Sequence, residues 1–293
     1  MLNFALSSNP NEKSPPLAIL ISKASGDRVL FSRDKLFQSL KRSGADADST
    51  QKVLIDLDKY VQPEMTTRQI FRHAFSLLKK YSKVSAARYM LKQALMELGP
   101  SGYPFEQYVS DLLRSQGYSA DVGVIVKGHC VNHEIDVIAT NQHEQFMVEC
   151  KFHNRAGIKC DVKIPLYIQS RFQDVSHYAS NSYHFTKGWI FTNTKFSQDA
   201  IQYAACMGLQ MTGWDYPVNN GLREWIDRSG LHPITCLTTL TKEEKIKLLE
   251  QEILHCKDII DNKELLVHLG FSAQRMQQVV TEAGSLLHNV ERK

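Results

Sequence analysis

Two carboxylates and a lysine have the types and spacing best suited to chemistry in this sequence. Residues 134–138 and 146–152 are apolar runs on either side of a polar turn, which predicts a β-hairpin. Asp136 lies on the first strand, and Glu149 and Lys151 lie on the second. Because residues i and i+2 of a strand point to the same face, Glu149 and Lys151 emerge together.

This set of side chains suits metal-assisted hydrolysis of a phosphodiester bond. Asp136 and Glu149 are predicted to bind Mg²⁺ through oxygen atoms, and the metal activates a water molecule. Lys151 is predicted to orient that water or to stabilise charge in the transition state. The alternative is an exposed charge pattern on a half-buried hairpin. Both strands are apolar on two faces, however, and charges in such strands need partners or a metal.

The region around the hairpin resembles the Mrr-like restriction endonucleases of the PD-(D/E)xK nuclease superfamily. As in that family, a helix opening with Phe105 and Glu106 precedes the hairpin, and the resemblance spans roughly residues 103–215. It implies that Glu106 completes or supports the metal site. The proline of the family name is absent, because Ile135 precedes Asp136. The resemblance implies an α/β fold with a mixed sheet flanked by helices.

The elements expected after the hairpin follow in order. A helix over about 166–180 carries Gln169 and Gln173. The resemblance implies that either could support the site, and the alternative is a solvated helix face. Residues 188–193 predict the next strand, followed by a helix over 200–207 and a short final strand at 210–214.

A small α+β domain is predicted before the nuclease region. Residues 1–16 are polar and read as a flexible leader. Strands at 18–23 and 28–31 predict a hairpin, and four amphipathic helices follow it up to residue 98. The resulting domain boundaries are 17–98 for this unit and 103–220 for the nuclease domain, joined by a Gly-Pro-Ser-Gly linker. Residues 221–293 form a helical C-terminal extension.

The N-terminal unit resembles the ATP-cone, a regulatory nucleotide-binding module. The resemblance rests on residues 21–26, 29–36 and 86–89. It implies that ATP or dATP binds, with contacts from four residues: Lys23, Lys35, Thr66 and Arg88. Ala24 departs from the family, which often has a second basic residue there, so a purely structural packing or dimerisation module is the alternative. No glycine-rich Walker loop occurs, so nucleotide would bind without hydrolysis.

Composition adds few constraints on function. The 293 residues are 43% hydrophobic and carry a net charge of +4, which is compatible with nucleic acid. We find no apolar run of membrane-spanning length and no signal peptide, which favours a cytoplasmic protein without a membrane partner. The six cysteines are scattered singly and predict reduced thiols.

The sequence therefore predicts a Mg²⁺-dependent DNA endonuclease regulated by an adenine nucleotide. Two alternatives remain: an inactive nuclease fold that serves in nucleotide-responsive DNA binding or assembly, and a structure-specific repair nuclease acting on DNA or RNA. Whether the protein forms a homo-oligomer is left open.

Overall fold

A computed structural model describes residues 19–178 and 183–287 of the chain. The predicted leader, residues 1–16, and the last residues of the predicted C-terminal helices, 288–293, lie outside the described residues. Within the described ranges, no helix is long and apolar enough to cross a membrane.

The N-terminal region begins with the predicted hairpin, in which β1 (Leu20–Ser22) pairs antiparallel with β2 (Arg28–Leu30). Five helices follow: α1 (Arg33–Arg42), α2 (Ala47–Tyr60), α3 (Thr67–Tyr81), α4 (Lys83–Tyr89) and α5 (Leu91–Met96). The predicted count of four helices is corrected to five, because the last one is divided at Met90. The two halves serve different cores. Ala86 of α4 packs beneath the hairpin, whereas Leu91 and Leu95 of α5 pack against the central sheet.

A five-stranded mixed sheet forms the centre of the molecule. The remaining strands are β3 (Ser119–Lys127), β4 (Asn132–Thr140), β5 (Gln145–Lys151), β6 (Lys159–Cys160), β7 (Lys187–Thr192), β8 (Lys195–Phe196) and β9 (Gln210–Thr212). The sheet order is β3-β4-β5-β7-β9, with β6 and β8 paired separately. β3, β4 and β5 are antiparallel, while β5, β7 and β9 are parallel. β5 therefore lies in the middle of the sheet, and the edge strand β3 is absent from the sequence-based prediction.

Helices cover both faces of this sheet. On one face lie α6 (Tyr103–Ser115) and α9 (Leu222–Ser229), in the same core cluster as Phe146 and Val148. The four predicted inward residues of α6 are fully buried: Phe105, Val109, Leu112 and Leu113. On the other face lie α7 (Lys163–Ser176) and α8 (Gln198–Met207), which pack with Met147 and Ile190. The chain thus has the predicted α/β fold with a central mixed sheet flanked by helices.

The C-terminal region is helical, as predicted. A 3₁₀ helix at Ile234–Cys236 precedes α10 (Lys242–Glu250), α11 (Cys256–Asp261), α12 (Lys263–His268) and α13 (Ala273–Leu287). Two hydrogen bonds tie this region to α4 and α5. Thr235 Oγ1 donates to the Ala94 carbonyl at 2.8 Å, and Arg88 Nη2 donates to the Leu286 carbonyl at 3.2 Å. α4 and α5 therefore lie where the three parts of the chain meet.

A second contact joins the N-terminal hairpin to the turn that follows β5. Gly157, in that turn, has φ +91°, and a Cβ built on it would lie 2.9 Å from the carbonyl carbon of Ala24. Ala24 is the second residue after β1 and is adjacent to Lys23. Only a glycine allows the two backbones to approach this closely.

We expect Gly157→Ala to separate the turn from the hairpin. The matched control is Gly117→Ala, because Gly117 has φ +90° but a Cβ there would meet nothing within 4 Å. Both variants carry the cost of a left-handed alanine, about 1–2 kcal/mol. Only Gly157→Ala should also increase the rate of amide hydrogen exchange in residues 152–158 and in the hairpin. Equal exchange in the two variants would contradict this contact.

Candidate active site

The pairing of β4 with β5 brings the two predicted metal ligands to one region of the sheet. Val137 pairs with Val148, and carrying that register one residue further sets Asp136 opposite Glu149. Asp136 Oδ2 accepts a hydrogen bond from the backbone N–H of Cys150 at 2.7 Å. The carboxylate of Asp136 is therefore fixed against the backbone between Glu149 and Lys151.

Glu149 is a nearly buried carboxylate, with 4% of its surface exposed, and two cations bind it. Lys151 Nζ donates to Oε1, and Arg171 Nη1 donates to Oε2 at 2.5 Å. Arg171 also donates through Nη2 to the backbone carbonyl of Glu134 on β4. Glu149 is thus held from its own strand by Lys151 and from helix α7 by Arg171.

Arg171 is the site residue that the sequence analysis missed. The sequence predicts Gln169 or Gln173 as the polar residue of this helix that supports the site. Gln173 is exposed, while Gln169 is buried and its Oε1 has no hydrogen-bond partner among the described residues. The signal for Arg171 was available in the sequence. Arg171 lies three residues after Ile168 and four residues before Val175, which puts its side chain on the buried face of the helix.

Burial and carboxylate repulsion dominate the electrostatics of the site. Burial, followed by the charges of Glu149 and Glu106, raises the pKa of Asp136 to about 7. The pKa of Glu106 on α6 is also raised, by burial and by the charges of Glu134 and Glu149. Burial is the largest single effect on Lys151 and acts to lower its pKa, but the charge and hydrogen bond of Glu149, together with the charge of Asp136, outweigh it, and the net shift of the pKa is upward. Lys151 therefore stays charged beside a group of carboxylates that repel each other.

The donor set fits a hard divalent cation. Among residues 19–178 and 183–287, no three His, Cys, Asp or Glu side chains form a metal-holding group. Two carboxylates suffice for Mg²⁺, which commonly binds through one or two carboxylates together with waters and substrate phosphates. A carboxylate has about four lone-pair sites, so the bonds from Lys151 and Arg171 leave acceptor capacity on Glu149. Positive charge at this point would relieve the repulsion that raises the pKa of Asp136.

The sheet is open beside Asp136. Continuing the β3–β4 register across Val122–Val137 and Val124–Ile135 sets Gly123 opposite Asp136. A Cβ at Gly123 would meet nothing within 4 Å. The absence of a side chain on β3 leaves room next to the carboxylate, which suits a site that must admit a substrate.

The four predicted nucleotide ligands do not all line one pocket. Lys23 and Lys35 both line a pocket of about 260 Å³ between the hairpin and α1, which we call the hairpin pocket. Its apolar wall includes the stacked rings of Phe71 and Tyr89, whose centroids are 4.7 Å apart. Ser32 caps α1 by accepting a hydrogen bond from the backbone N–H of Lys35, so this lysine lies in the first turn of the helix.

The other two predicted ligands lie elsewhere. Thr66 forms a capping box with Gln69 at the start of α3, and its neighbour Thr67 lines the hairpin pocket instead. Arg88 lines an adjacent pocket. Lys23 and Lys35 thus line one pocket, Thr66 pairs with Ser22 beside Lys23 without lining that pocket, and Arg88 lines the adjacent pocket.

Comparisons with known proteins identify the family. Residues 99–216 match a family model described as restriction endonuclease, and residues 232–287 match one described as AF1548-like, C-terminal. An uncharacterized protein of Archaeoglobus fulgidus is 39% identical over 177 residues, which are 60% of this chain and 98% of that protein. The chain belongs to the AF1548-like family.

A solved structure supports this assignment. The crystal structure of AF1548, described as a protein of unknown function, shares 37% sequence identity with this chain and superposes with a TM-score of 0.54. The match covers 64% of this chain and 100% of AF1548. This AF1548-like chain therefore carries an Mrr-like restriction-endonuclease domain, and that domain contains Asp136, Glu149 and Lys151.

The raised pKa of Asp136 gives a testable dependence of stability on pH. Since the ordinary pKa is 3.8 and the folded value is about 7, the folded protein binds one extra proton between these pH values. The free energy of unfolding without metal therefore falls as the pH rises from about 4 to about 7. We expect Asp136→Asn to remove this loss of stability. The free energy of unfolding of the variant should exceed that of the wild-type protein by nearly zero at pH 4 and by ~1–3 kcal/mol at pH 8.

This gain is to be measured by denaturant unfolding in the presence of a chelator. The matched control is Asp121→Asn, because Asp121 lies on the neighbouring strand and is exposed. A gain from Asp136→Asn that does not change with pH would contradict the electrostatic account.

Proposed function

We propose that this AF1548-like protein is a Mg²⁺-dependent endonuclease that hydrolyses DNA phosphodiester bonds. The observation that carries the proposal is the buried carboxylate of Glu149, bound to Lys151 and facing Asp136, within a restriction-endonuclease domain. A buried charge of this kind is costly unless ion pairs, hydrogen bonds or a bound metal compensate it.

Each residue has a distinct role in this proposal. Asp136 and Glu149 hold the cation, and Glu106 supports it from α6. A divalent cation bound there lowers the pKa of a water ligand and offsets charge on the phosphate. Lys151 directs an ammonium group toward the attacking water or the phosphate oxygens, and Arg171 keeps Glu149 in position.

We further propose that the N-terminal region is an ATP-cone that binds ATP or dATP in the hairpin pocket. The pocket combines two ammonium groups with an apolar wall, which suits phosphates at one end and a purine at the other. The segment before α3 supports this geometry. Backbone hydrogen bonds from Ser22 N to the Met65 carbonyl and from Glu64 N to the Leu20 carbonyl, both 2.9 Å, hold it beside β1.

A short segment of the chain connects the hairpin pocket with β5, the strand that carries Glu149 and Lys151. Lys23 precedes Ala24, whose backbone touches Gly157, and Gly157 lies six residues after Lys151. A nucleotide that shifts the hairpin would therefore shift the turn that follows β5. Regulation requires that the nucleotide binds two states of the protein with different affinity.

The nuclease proposal predicts that Lys151→Ala retains metal binding and loses cleavage. Loss of one preorganised charged group should lower the cleavage rate by about a hundredfold to a thousandfold. The control is Lys159→Ala, since Lys159 is an exposed lysine on the nearby strand β6. The measurement is cleavage of plasmid and of single-stranded, branched and RNA substrates, with Mg²⁺ or with chelator.

The outcomes separate the alternatives. Unchanged cleavage in Lys151→Ala would remove this assignment. Cleavage confined to branched DNA or to RNA would favour a structure-specific repair nuclease. DNA binding without cleavage in the wild-type protein would favour an inactive nuclease fold, for which the full pairing of Glu149 with two cations is the supporting observation.

The nucleotide proposal predicts that Lys23→Ala and Lys35→Ala each weaken ATP binding by roughly tenfold to a hundredfold. Lys41→Ala is the matched control, because Lys41 is also on α1 but lies at its exposed last turn. Isothermal titration with ATP and dATP measures the affinity, and phosphate release tests for hydrolysis. No heat with either nucleotide would mean that the N-terminal region is only structural.

A further inference from the structure

A second pocket lies where α1, α4 and α5 meet the nuclease domain. This junction pocket has a volume of about 180 Å³ and shares Ser39, Phe71 and Tyr89 with the hairpin pocket. Its other side is formed by Trp214 and by residues of α9. It is smaller than a typical drug-sized site, so it suits a small ligand or one group of a larger ligand.

Positive charge is concentrated around this pocket. Four cationic side chains line it: Arg42, Arg88, Lys92 and Arg223. The acidic groups nearby are Asp227, which also lines the pocket, and Glu224, which binds Arg223. Four cations against two carboxylates leave an excess of two positive charges.

Several donors in the pocket are not used within the protein. Arg42 is exposed and forms no ion pair with the described residues. Arg88 Nε is buried and has no hydrogen-bond partner among the described residues. Arg223 binds Glu224 through Nε and Nη2, which leaves the donors of Nη1. These donors come from both sides of the junction, so a ligand between them would bridge the two regions.

The surroundings of Lys92 are ones that an anion would stabilise. Burial, and then the charge of Lys195, lowers the pKa of Lys92 to about 8, while Asp215 acts weakly in the opposite direction. Its ammonium group lies 5.7 Å from the ring centroid of Trp214. An anion in the pocket would offset the repulsion among these cations and stabilise the charged form of Lys92.

We propose that the junction pocket binds a small anion that carries a phosphate group, through Arg42, Lys92 and Arg223. A phosphate group has a charge near −2 at neutral pH, which matches the excess of two positive charges. Guanidinium groups match phosphate oxygens in charge and geometry. The ligand is either a free phosphate species or the phosphate of a nucleotide, and it is distinct from a nucleotide held by Lys23 and Lys35.

Isothermal titration of the full-length protein with pyrophosphate tests the proposal, with inorganic phosphate and ATP as further probes. We expect Lys92→Gln and Arg42→Gln each to weaken pyrophosphate binding by roughly tenfold to a hundredfold. Lys80→Gln removes the same charge from an exposed position on α3 outside the pocket and should leave the affinity unchanged. Because the side chain of Arg42 is exposed, weaker binding in Arg42→Gln does not arise from lost packing. Thermal unfolding checks that each variant is folded.

A double variant, Lys23→Ala with Lys35→Ala, separates the two pockets. If it retains pyrophosphate binding, the junction site exists whether or not the hairpin pocket binds ATP. If ATP still binds to this double variant, the natural ligand is a nucleotide; if only pyrophosphate or phosphate binds, it is a free phosphate species. Loss of pyrophosphate binding in the double variant, equal weakening by Lys80→Gln, or no binding to the wild-type protein would each overturn the proposal.

Discussion

The burial of Glu149 is the constraint on which the arrangement of this domain depends. An ionised carboxylate in the central strand of a sheet costs several kcal/mol unless cations and hydrogen bonds compensate it. Lys151, two residues along the same strand, supplies one cation, and α7 must dock so that Arg171 supplies the other. Arg171 in turn holds the Glu134 carbonyl on β4. The ion pairs of Glu149 therefore join β4, β5 and α7 at one point.

This arrangement stabilises Glu149 but leaves its neighbour uncompensated. Asp136 receives a backbone hydrogen bond from Cys150, yet burial and the charges of Glu149 and Glu106 outweigh it and raise its pKa. At neutral pH the ionised form therefore costs folding free energy. A polar site that opposes stability in this way is typical of a place where binding, not folding, supplies the compensation.

Most residues of this candidate site are predicted from the sequence because their signals are local. Alternation within β5 puts Glu149 and Lys151 on one face, and the helical period of α6 explains its buried residues. The contacts that escaped prediction are long-range. The ion pair of Arg171 with Glu149 joins residues 22 positions apart in the sequence. The predicted fourth helix is divided at Met90 into α4 and α5 because its two halves pack against different cores. Strand β3 is a local signal that the prediction omits: its burial alternates along the whole strand, and Gly123, with φ +67°, is of a residue type that is depleted in strands.

Movement of the N-terminal region relative to the nuclease domain must break specific contacts. The backbones of Ala24 and Gly157 approach too closely to admit a Cβ at one side of the interface, and Arg88 donates a hydrogen bond to the Leu286 carbonyl at another. A ligand changes the balance between two arrangements only by binding one of them more tightly. Ligands between Lys23 and Lys35, or between Lys92 and Arg223, would act at opposite sides of the wall formed by Phe71 and Tyr89. The second pair includes Arg223 of α9, which packs on the central sheet, so an anion there would favour the docked arrangement directly.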